Sequence, residues 1–185
     1  MRLAENGGDT DLRVSPEEEA FLNREDRPVT EPDPATNGLP SLLTEDRVQI
    51  GRLARDWREA LKVASSPLVR NGDVTPEYVH AMIGMVEALG PYIVVAPGVA
   101  LAHARPEQGV QRLCVSITVL VEPVPFGSVN DPVWLICIFG AVDNRSHVLL
   151  LSQLASLLSE ERDVKSLRLA REPRHLLDIV KRRFS

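Results

Sequence analysis

The sequence predicts an α/β domain with a largely parallel sheet, and two observations lead to that prediction. Apolar, strand-like segments alternate along the chain with stretches whose apolar residues recur at helical spacing, which is typical of a sheet covered by helices. One strand-like segment, residues 133–141, is apolar almost throughout, as a central strand buried on both faces would be. At 185 residues the chain is long enough for one such domain with a full core and some spare length.

The first forty residues differ in composition from the rest of the chain. They hold four arginines against ten aspartates and glutamates, together with five prolines. Because few apolar side chains are available there to offset the entropy of ordering, we expect a disordered, acidic extension over residues 1–40 and a folded domain over residues 41–185. The remaining residues are nearly neutral and show no basic stripe, so we expect no nucleic-acid partner.

The apolar segments and the cysteines predict the cellular setting. The longest apolar run is far shorter than the roughly 20 residues of a membrane helix, and the N-terminus lacks the apolar stretch of a secretory signal. We therefore expect a cytoplasmic protein that does not insert into a membrane. Cys114 and Cys137 lie in apolar strand-like runs, where thiols pack as small hydrophobes, so we expect neither a disulfide nor a metal site.

The first half of the domain predicts an edge strand and two helices. Residues 47–53 alternate loosely and suit an edge strand. Asp56, three residues before Glu59, forms a capping-box pattern that begins the first helix. Thr75-Pro76 begins the second helix and Gly90 ends it. The predicted inner faces are Trp57, Ala60, Leu61, Ala64 and Leu68 in the first helix, and Tyr78, Met82, Val86 and Leu89 in the second.

A histidine follows the next predicted strand. Residues 92–96 predict a short buried strand that breaks at Pro97-Gly98 and leads into a loop of small residues. That loop contains His103, and the alanines around it leave the imidazole unshielded. A ring in this setting suits contact with another protein.

A second histidine follows the central strand. A strand over residues 112–121 and a proline-rich loop over residues 122–132 lead into the buried strand at 133–141. The turn at residues 143–146 supplies caps for a helix that starts near His147. One or two further helices are expected toward the C-terminus.

His103 and His147 are the candidate reactive residues. Ligands of open α/β sheets bind beyond the carboxyl ends of strands, so both rings meet if their strands are parallel neighbours. A neutral imidazole attacks a phosphoryl group without a separate base, and backbone N–H groups near Ser146 would bind the phosphoryl oxygens. Arg105 would add positive charge, or else pair with Glu107 or remain in solvent. Since no Gly-x4-Gly-Lys phosphate loop is present, a protein donor is expected rather than ATP.

The residues around both histidines resemble a known family. The segments are Ala100-Leu101-Ala102-His103-Ala104-Arg105-Pro106, and Asn130-Asp131-Pro132 leading to Asp143-Asn144-Arg145-Ser146-His147. They are similar to the type-2 enzyme IIA domain, the mannitol/fructose type, of the bacterial phosphotransferase system. Residues 90–101 are most similar to the ascorbate branch, and the resemblance extends over most of residues 41–185.

The resemblance implies a fold and a function. The fold would be a three-layer sandwich with a mixed, mostly parallel sheet of about five strands and helices on both faces. His103 would accept a phosphoryl group from the phosphocarrier HPr, and His147 would stabilise it. The group would pass to a cysteine of a IIB component, and through it to a membrane IIC component, for uptake of ascorbate or a related sugar. This is protein-histidine phosphotransferase activity, without a metal or other cofactor.

Docking of two partners in turn requires an apolar, shallow surface near the reactive ring. We expect Val99, Leu101 and Phe126 to form that ring of contacts around His103.

Departures from the family pattern keep one alternative open. Ala102 stands where the family has proline, so the loop would be less rigid, and the acidic extension is additional. A regulatory module of the same fold, which reports nutrient status through its phosphorylation, remains the alternative. A hydrolase using His103 is disfavoured because no Gly-x-Ser-x-Gly motif is present.

Overall fold

The computed structural model describes residues 38–185, which form five strands and six α-helices. The predicted extension over residues 1–40 lies outside the described residues except for its last three, of which Leu39 is fully buried in the domain. Two short 3-10 turns cover Glu45–Arg47 and Pro106–Gln108. The elements are α1 (Leu39–Leu42), β1 (Val48–Arg52), α2 (Trp57–Arg70), α3 (Pro76–Leu89), β2 (Val94–Ala96), β3 (Val99–Ala102), β4 (Cys114–Val124), β5 (Val133–Gly140), α4 (Asn144–Ser159), α5 (Glu161–Leu169) and α6 (Pro173–Arg183).

The strands form one mixed sheet in the order β1-β4-β5-β3-β2, which confirms the predicted α/β class. The pairs β1–β4 and β3–β5 are parallel, whereas β4–β5 and β2–β3 are antiparallel. Parallel pairs thus equal antiparallel ones in number, because loops rather than crossover helices join the antiparallel strands. The two parallel pairs therefore run in opposite directions, and their carboxyl ends lie at opposite ends of the sheet.

Helices cover both faces of the sheet, as the three-layer prediction requires. Helices α2 and α3 pack on one face, and α1 and α4–α6 pack on the other. The central strand β5 is buried along its whole length, as predicted. Its side chains alternate between the two cores: Cys137 and Phe139 face α4–α6, and Ile136 and Ile138 face α2 and α3.

The segment before His103 differs from its prediction. Residues Val99–Ala102 form a strand, β3, rather than a loop, and all four are buried beside β5. The predicted strand at 92–96 shrinks to the edge strand β2, which turns back at Gly98 with φ of +75°. Alanine favours strands weakly, so the sequence of β3 carries little strand signal. The burial and pairing offered by β5 outweigh that weak preference.

The helical predictions agree closely with the structure. The Asp56 carboxylate accepts the Glu59 N–H at 2.9 Å and so caps α2 as expected. The face of β4 that carries Ser116 is covered by α2, since the Ser116 hydroxyl donates to the Ala64 carbonyl at 2.9 Å. One inner-face prediction was wrong: Leu89 is exposed, because α3 ends there beyond its contact with the sheet.

A buried carboxylate lies at the corner between α2 and α3. Asp73 forms an ion pair with the Arg47 guanidinium at 2.6 Å and another with that of Arg112 at 2.7 Å. Its backbone carbonyl accepts the N–H groups of Gln111 and Arg112 at 2.9 and 3.2 Å. One residue thus connects the helical corner to the segments that enter β1 and β4.

Candidate functional site

His103 and His147 meet at the carboxyl end of the parallel pair β3–β5. His103 directly follows β3, whose last residue, Ala102, lies beside Ile138 of β5. His147 lies in the first turn of α4, which follows β5. The ring centroids are 5.1 Å apart, and the ring planes make an angle of 70°. The prediction that both rings reach one end of the sheet is confirmed, although β3 rather than the predicted strand at 92–96 carries His103 there.

Phe139 lies behind both imidazoles. Its ring centroid is 4.8 Å from that of His103 and 5.2 Å from that of His147, and its side chain is fully buried. The sequence analysis did not single out Phe139. The alternation of β5 would have placed it on the same face as α4, and this was the available signal. The aromatic contact fixes where the two rings stand.

The hydroxyl of Tyr78 holds the backbone on either side of this contact. It donates to the Phe139 carbonyl at 2.7 Å and accepts the Ala104 N–H at 2.9 Å. Burial raises the pKa of Tyr78 well above its ordinary value, so the hydroxyl keeps its proton. A helix residue predicted only as core therefore fixes the residue next to His103.

The environment of His103 favours the neutral imidazole. Burial, and then the neighbouring His147, lower the pKa of His103 below its ordinary value. Its Nδ1 atom is buried and has no hydrogen-bond partner among residues 38–185. The half-buried ring therefore leaves Nε2 as the nitrogen that a reacting group can approach.

Of the two residues predicted to contact phosphate, Arg105 is exposed and Ser146 is already hydrogen-bonded within the chain. Arg105 is exposed and forms no ion pair within residues 38–185, so the alternative pairing with Glu107 is absent from that part of the chain. Ser146 is different, because its N–H and its hydroxyl both donate to the Asp143 carboxylate, at 2.8 and 2.7 Å. These bonds hold the pKa of Asp143 below its usual range. The prediction that Ser146 offers an N–H to phosphate is thus corrected: it completes the cap of α4.

Comparison with known proteins identifies the family. The model of the family described as "Phosphoenolpyruvate-dependent sugar phosphotransferase system, EIIA 2" matches residues 41–183. The chain belongs to this family. The resemblance inferred from the histidine segments is therefore confirmed.

Relatives of this enzyme IIA domain include two proteins of Escherichia coli (strain K12). The phosphotransferase IIA component SgcA is 45% identical over 112 residues, which are 60% of this chain and 78% of the relative. The ascorbate-specific PTS system EIIA component is 35% identical over 144 residues, 77% of this chain and 94% of the relative. Among solved structures, the complex of mannitol enzyme IIA with phosphorylated enzyme IIB from Escherichia coli matches with a TM-score of 0.66 at 27% identity, covering 75% of this chain and 96% of that one.

The apolar surface of this enzyme IIA is not the one predicted from sequence. Val99, Leu101 and Phe126 are only 1%, 5% and 5% exposed, so they cannot form a ring of partner contacts. The first two lie in β3 within the core, and Phe126 packs on Trp57 at the other end of the sheet. The exposed apolar side chains beside His147 are Val142, Val148 and Leu151, at 51%, 63% and 36%.

The two cysteines of the enzyme IIA domain are unreactive as thiols near neutral pH. Cys114 and Cys137 are free and buried, and burial raises the pKa of each thiol to about 12. A thiol with so high a pKa contributes almost no thiolate near neutral pH. Within residues 38–185, no helix is both long enough and apolar enough to cross a membrane.

Proposed function

We propose that this enzyme IIA accepts a phosphoryl group on Nε2 of His103 and passes it to a second protein. The observation that supports this is the contact between the His103 and His147 rings, with His103 half-buried and its pKa lowered. A neutral Nε2 has a free electron pair near neutral pH, so it attacks phosphorus without needing a general base.

The transfer consists of two displacements at phosphorus. In the first, Nε2 of His103 forms a bond to the phosphorus of phosphorylated HPr, while the bond from phosphorus to HPr breaks and its electron pair leaves with the carrier. In the second, a cysteine thiolate of a IIB component attacks the same phosphorus, and the Nε2–P electron pair returns to His103. A relative of this chain has been solved in complex with its phosphorylated IIB partner, which supports this choice of acceptor.

His147 stabilises the phosphoryl group during both steps. Its ring stands edge-on to His103 at 5.1 Å between centroids, within reach of a group bound to Nε2. An N–H of His147 donates to a phosphoryl oxygen, where charge must be stabilised in the transition state. Arg105 is exposed and lies two residues from His103, so its guanidinium is available to the same oxygens.

The transported molecule is ascorbate or a related sugar. The support is the 35% identity to an ascorbate-specific EIIA component, which extends over 94% of that relative. The partners dock on the apolar surface of Val142, Val148 and Leu151, and the domain works in the cytoplasm, with IIB passing the group on to a membrane IIC component. Helix α4 thus supplies His147 and two residues of this surface, Val148 and Leu151, and Val142 lies in the turn before it.

Incubation of the pure protein with radiolabelled phospho-HPr tests this proposal. We expect an acid-labile label on the wild type and none on His103→Ala, with an unchanged circular dichroism spectrum. His147→Ala should become labelled about 100-fold more slowly, since it lacks one transition-state donor. The matched control is His80→Ala, because His80 is exposed on α3 away from the site and its removal should leave the rate unchanged.

Full labelling of His103→Ala would sink the proposal. Addition of a IIB component then separates transport from regulation. Loss of label from His103 with gain on a IIB cysteine is the transport result, whereas a stable label on His103 indicates the regulatory alternative.

A further inference from the structure

A cleft lies at the end of the sheet opposite to His103. The parallel pair β1–β4 runs against β3–β5, so its carboxyl end lies beside the beginning of β5. A cleft of about 380 Å³ opens there, with Gly51, Val121, Trp134, Arg168 and Arg171 in its lining. This volume falls within the range of small-molecule sites, and the carboxyl end of parallel strands is where such sites form in α/β sheets.

The wall of the cleft has a fixed shape. The buried indole of Trp134 is packed against Gly98, where a Cβ would overlap the ring atoms Cδ1 and Nε1. On β1, which pairs with β4, the register shifts between Ile50 and Arg52, and Gly51 occupies the bulge with φ of +72°. A bulged residue is left out of the strand ladder, and such bulges occur often beside binding sites. The cleft therefore has a rigid aromatic side and an irregular backbone side.

The charge of the cleft is one-sided. The guanidinium carbon of Arg168 lies 5.4 Å from the ring centroid of Trp134, and Arg171 follows on the turn after α5. Among residues 38–185, neither arginine forms an ion pair, and the cleft lining contains no aspartate or glutamate. Two unneutralised guanidinium groups beside an apolar wall favour an anion that also carries an apolar part.

We propose that this cleft binds a small organic anion, phosphorylated or carboxylated. Its anionic group lies between Arg168 and Arg171, and its apolar part lies against Trp134 and Val121. Phosphate and carboxylate share the geometry that a guanidinium fork recognises, so the two classes are separated by experiment. The site is independent of phosphoryl transfer at His103, which takes place at the other end of β5.

Titration of ¹⁵N-labelled protein with three probes tests the proposal: phenyl phosphate, benzoate and inorganic phosphate. We expect saturable shifts of the Trp134 indole N–H and the Gly51 amide with at least one aromatic probe. A stronger response to phenyl phosphate assigns the phosphate class, and a stronger response to benzoate assigns the carboxylate class. Inorganic phosphate, which has no apolar part, should bind more weakly than the aromatic probe that gives the stronger response.

The variants make the test specific. Arg168→Gln combined with Arg171→Gln should weaken binding at least about tenfold, because both charge-assisted contacts are lost. Arg162→Gln is the matched control, as this exposed arginine of α5 does not line the cleft. Unaltered binding by the double variant, shifts confined to His103 and His147, or equal binding of inorganic phosphate would each overturn the proposal.

Discussion

The imidazole of His103 is packed on one side and reachable on the other. Contact with Phe139 and the burial of Nδ1 remove water from part of the ring, which makes its protonated form less favourable. The Nε2 atom, on the other side of the ring, is left accessible to a reacting group. In the proposed transfer, partial burial therefore does for His103 what an adjacent base does for the nucleophile of other enzymes: it keeps the attacking atom unprotonated.

The pH dependence of His103 follows from its lowered pKa. We expect its imidazole to titrate below the ordinary value of about 6.5, mainly because of burial and to a lesser extent because of His147. NMR titration of the ring signals measures the midpoint directly, and the phosphoryl-acceptance rate should fall only as pH drops through that midpoint. His147→Ala should raise the midpoint only part of the way toward 6.5.

The same shift fixes the sign of a stability change. The unfolded chain binds a proton on His103 at higher pH than the folded chain does. The stability from this group is therefore complete above about pH 6.5 and is lost as pH falls through the lowered pKa. A midpoint at or above 6.5 would contradict the burial of His103.

Residue type and position predict part of the site. His103 and His147 could be found because each follows a strand, and the contact between their rings agrees with that. Ser146 was assigned wrongly, because the sequence predicts both a cap and a phosphate contact at the start of α4 and does not show that the N–H of Ser146 is used by the Asp143 cap. The sequence also could not predict which apolar side chains are exposed, since a residue such as Leu101 gives the same pattern in a core as on a docking surface.

At the scale of elements, β3 shows where sequence patterns lose their power. Its four residues carry neither alternation nor β-branched enrichment beyond Val99, and their burial comes from β5 and the helices. Helices α2, α3 and α4 were predictable because caps and helical spacing are local properties. A short buried strand of small residues depends instead on partners distant in sequence.

Tyr78 connects three elements and so has a testable effect. Tyr78→Phe removes the α3 hydroxyl that donates to the Phe139 carbonyl and accepts the Ala104 N–H. We expect a loss of about 1–3 kcal/mol in unfolding free energy, because two buried backbone groups lose their partner. Labelling by phospho-HPr should also slow, since His103 loses the constraint on its neighbouring residue.

A change in the NMR signal of the His103 ring distinguishes positioning from simple destabilisation. Tyr92→Phe is the control: this tyrosine is exposed, and among residues 38–185 its hydroxyl donates only to the Met85 sulfur, at 3.8 Å. It should leave both stability and labelling unchanged. An unperturbed His103 signal and rate in Tyr78→Phe would show that Tyr78 serves the core alone.

At the scale of the whole molecule, Asp73 holds distant segments together. The Asp73 side chain is 1% exposed, and the side chain of its partner Arg47 is 16% exposed, so the ion pair is largely shielded from water. Asp73→Asn should lower the unfolding free energy by about 3 kcal/mol, because it leaves Arg47 without a counterion. Urea denaturation measures this change, and the exposed control Glu161→Gln should not shift the midpoint. Equal midpoints for the two variants would refute the role of Asp73.

Because strand direction reverses across the middle of the sheet, parallel strands end at both ends of the sheet. The eight residues of β5 span roughly 25 Å, so the histidine pair and the arginine-lined cleft are separated by about the length of that strand. Under the two proposals above, a carrier protein bound at the histidine pair leaves the cleft facing solvent. On the same two proposals, the domain would hold an organic anion and exchange a phosphoryl group at the same moment, without either bound partner displacing the other.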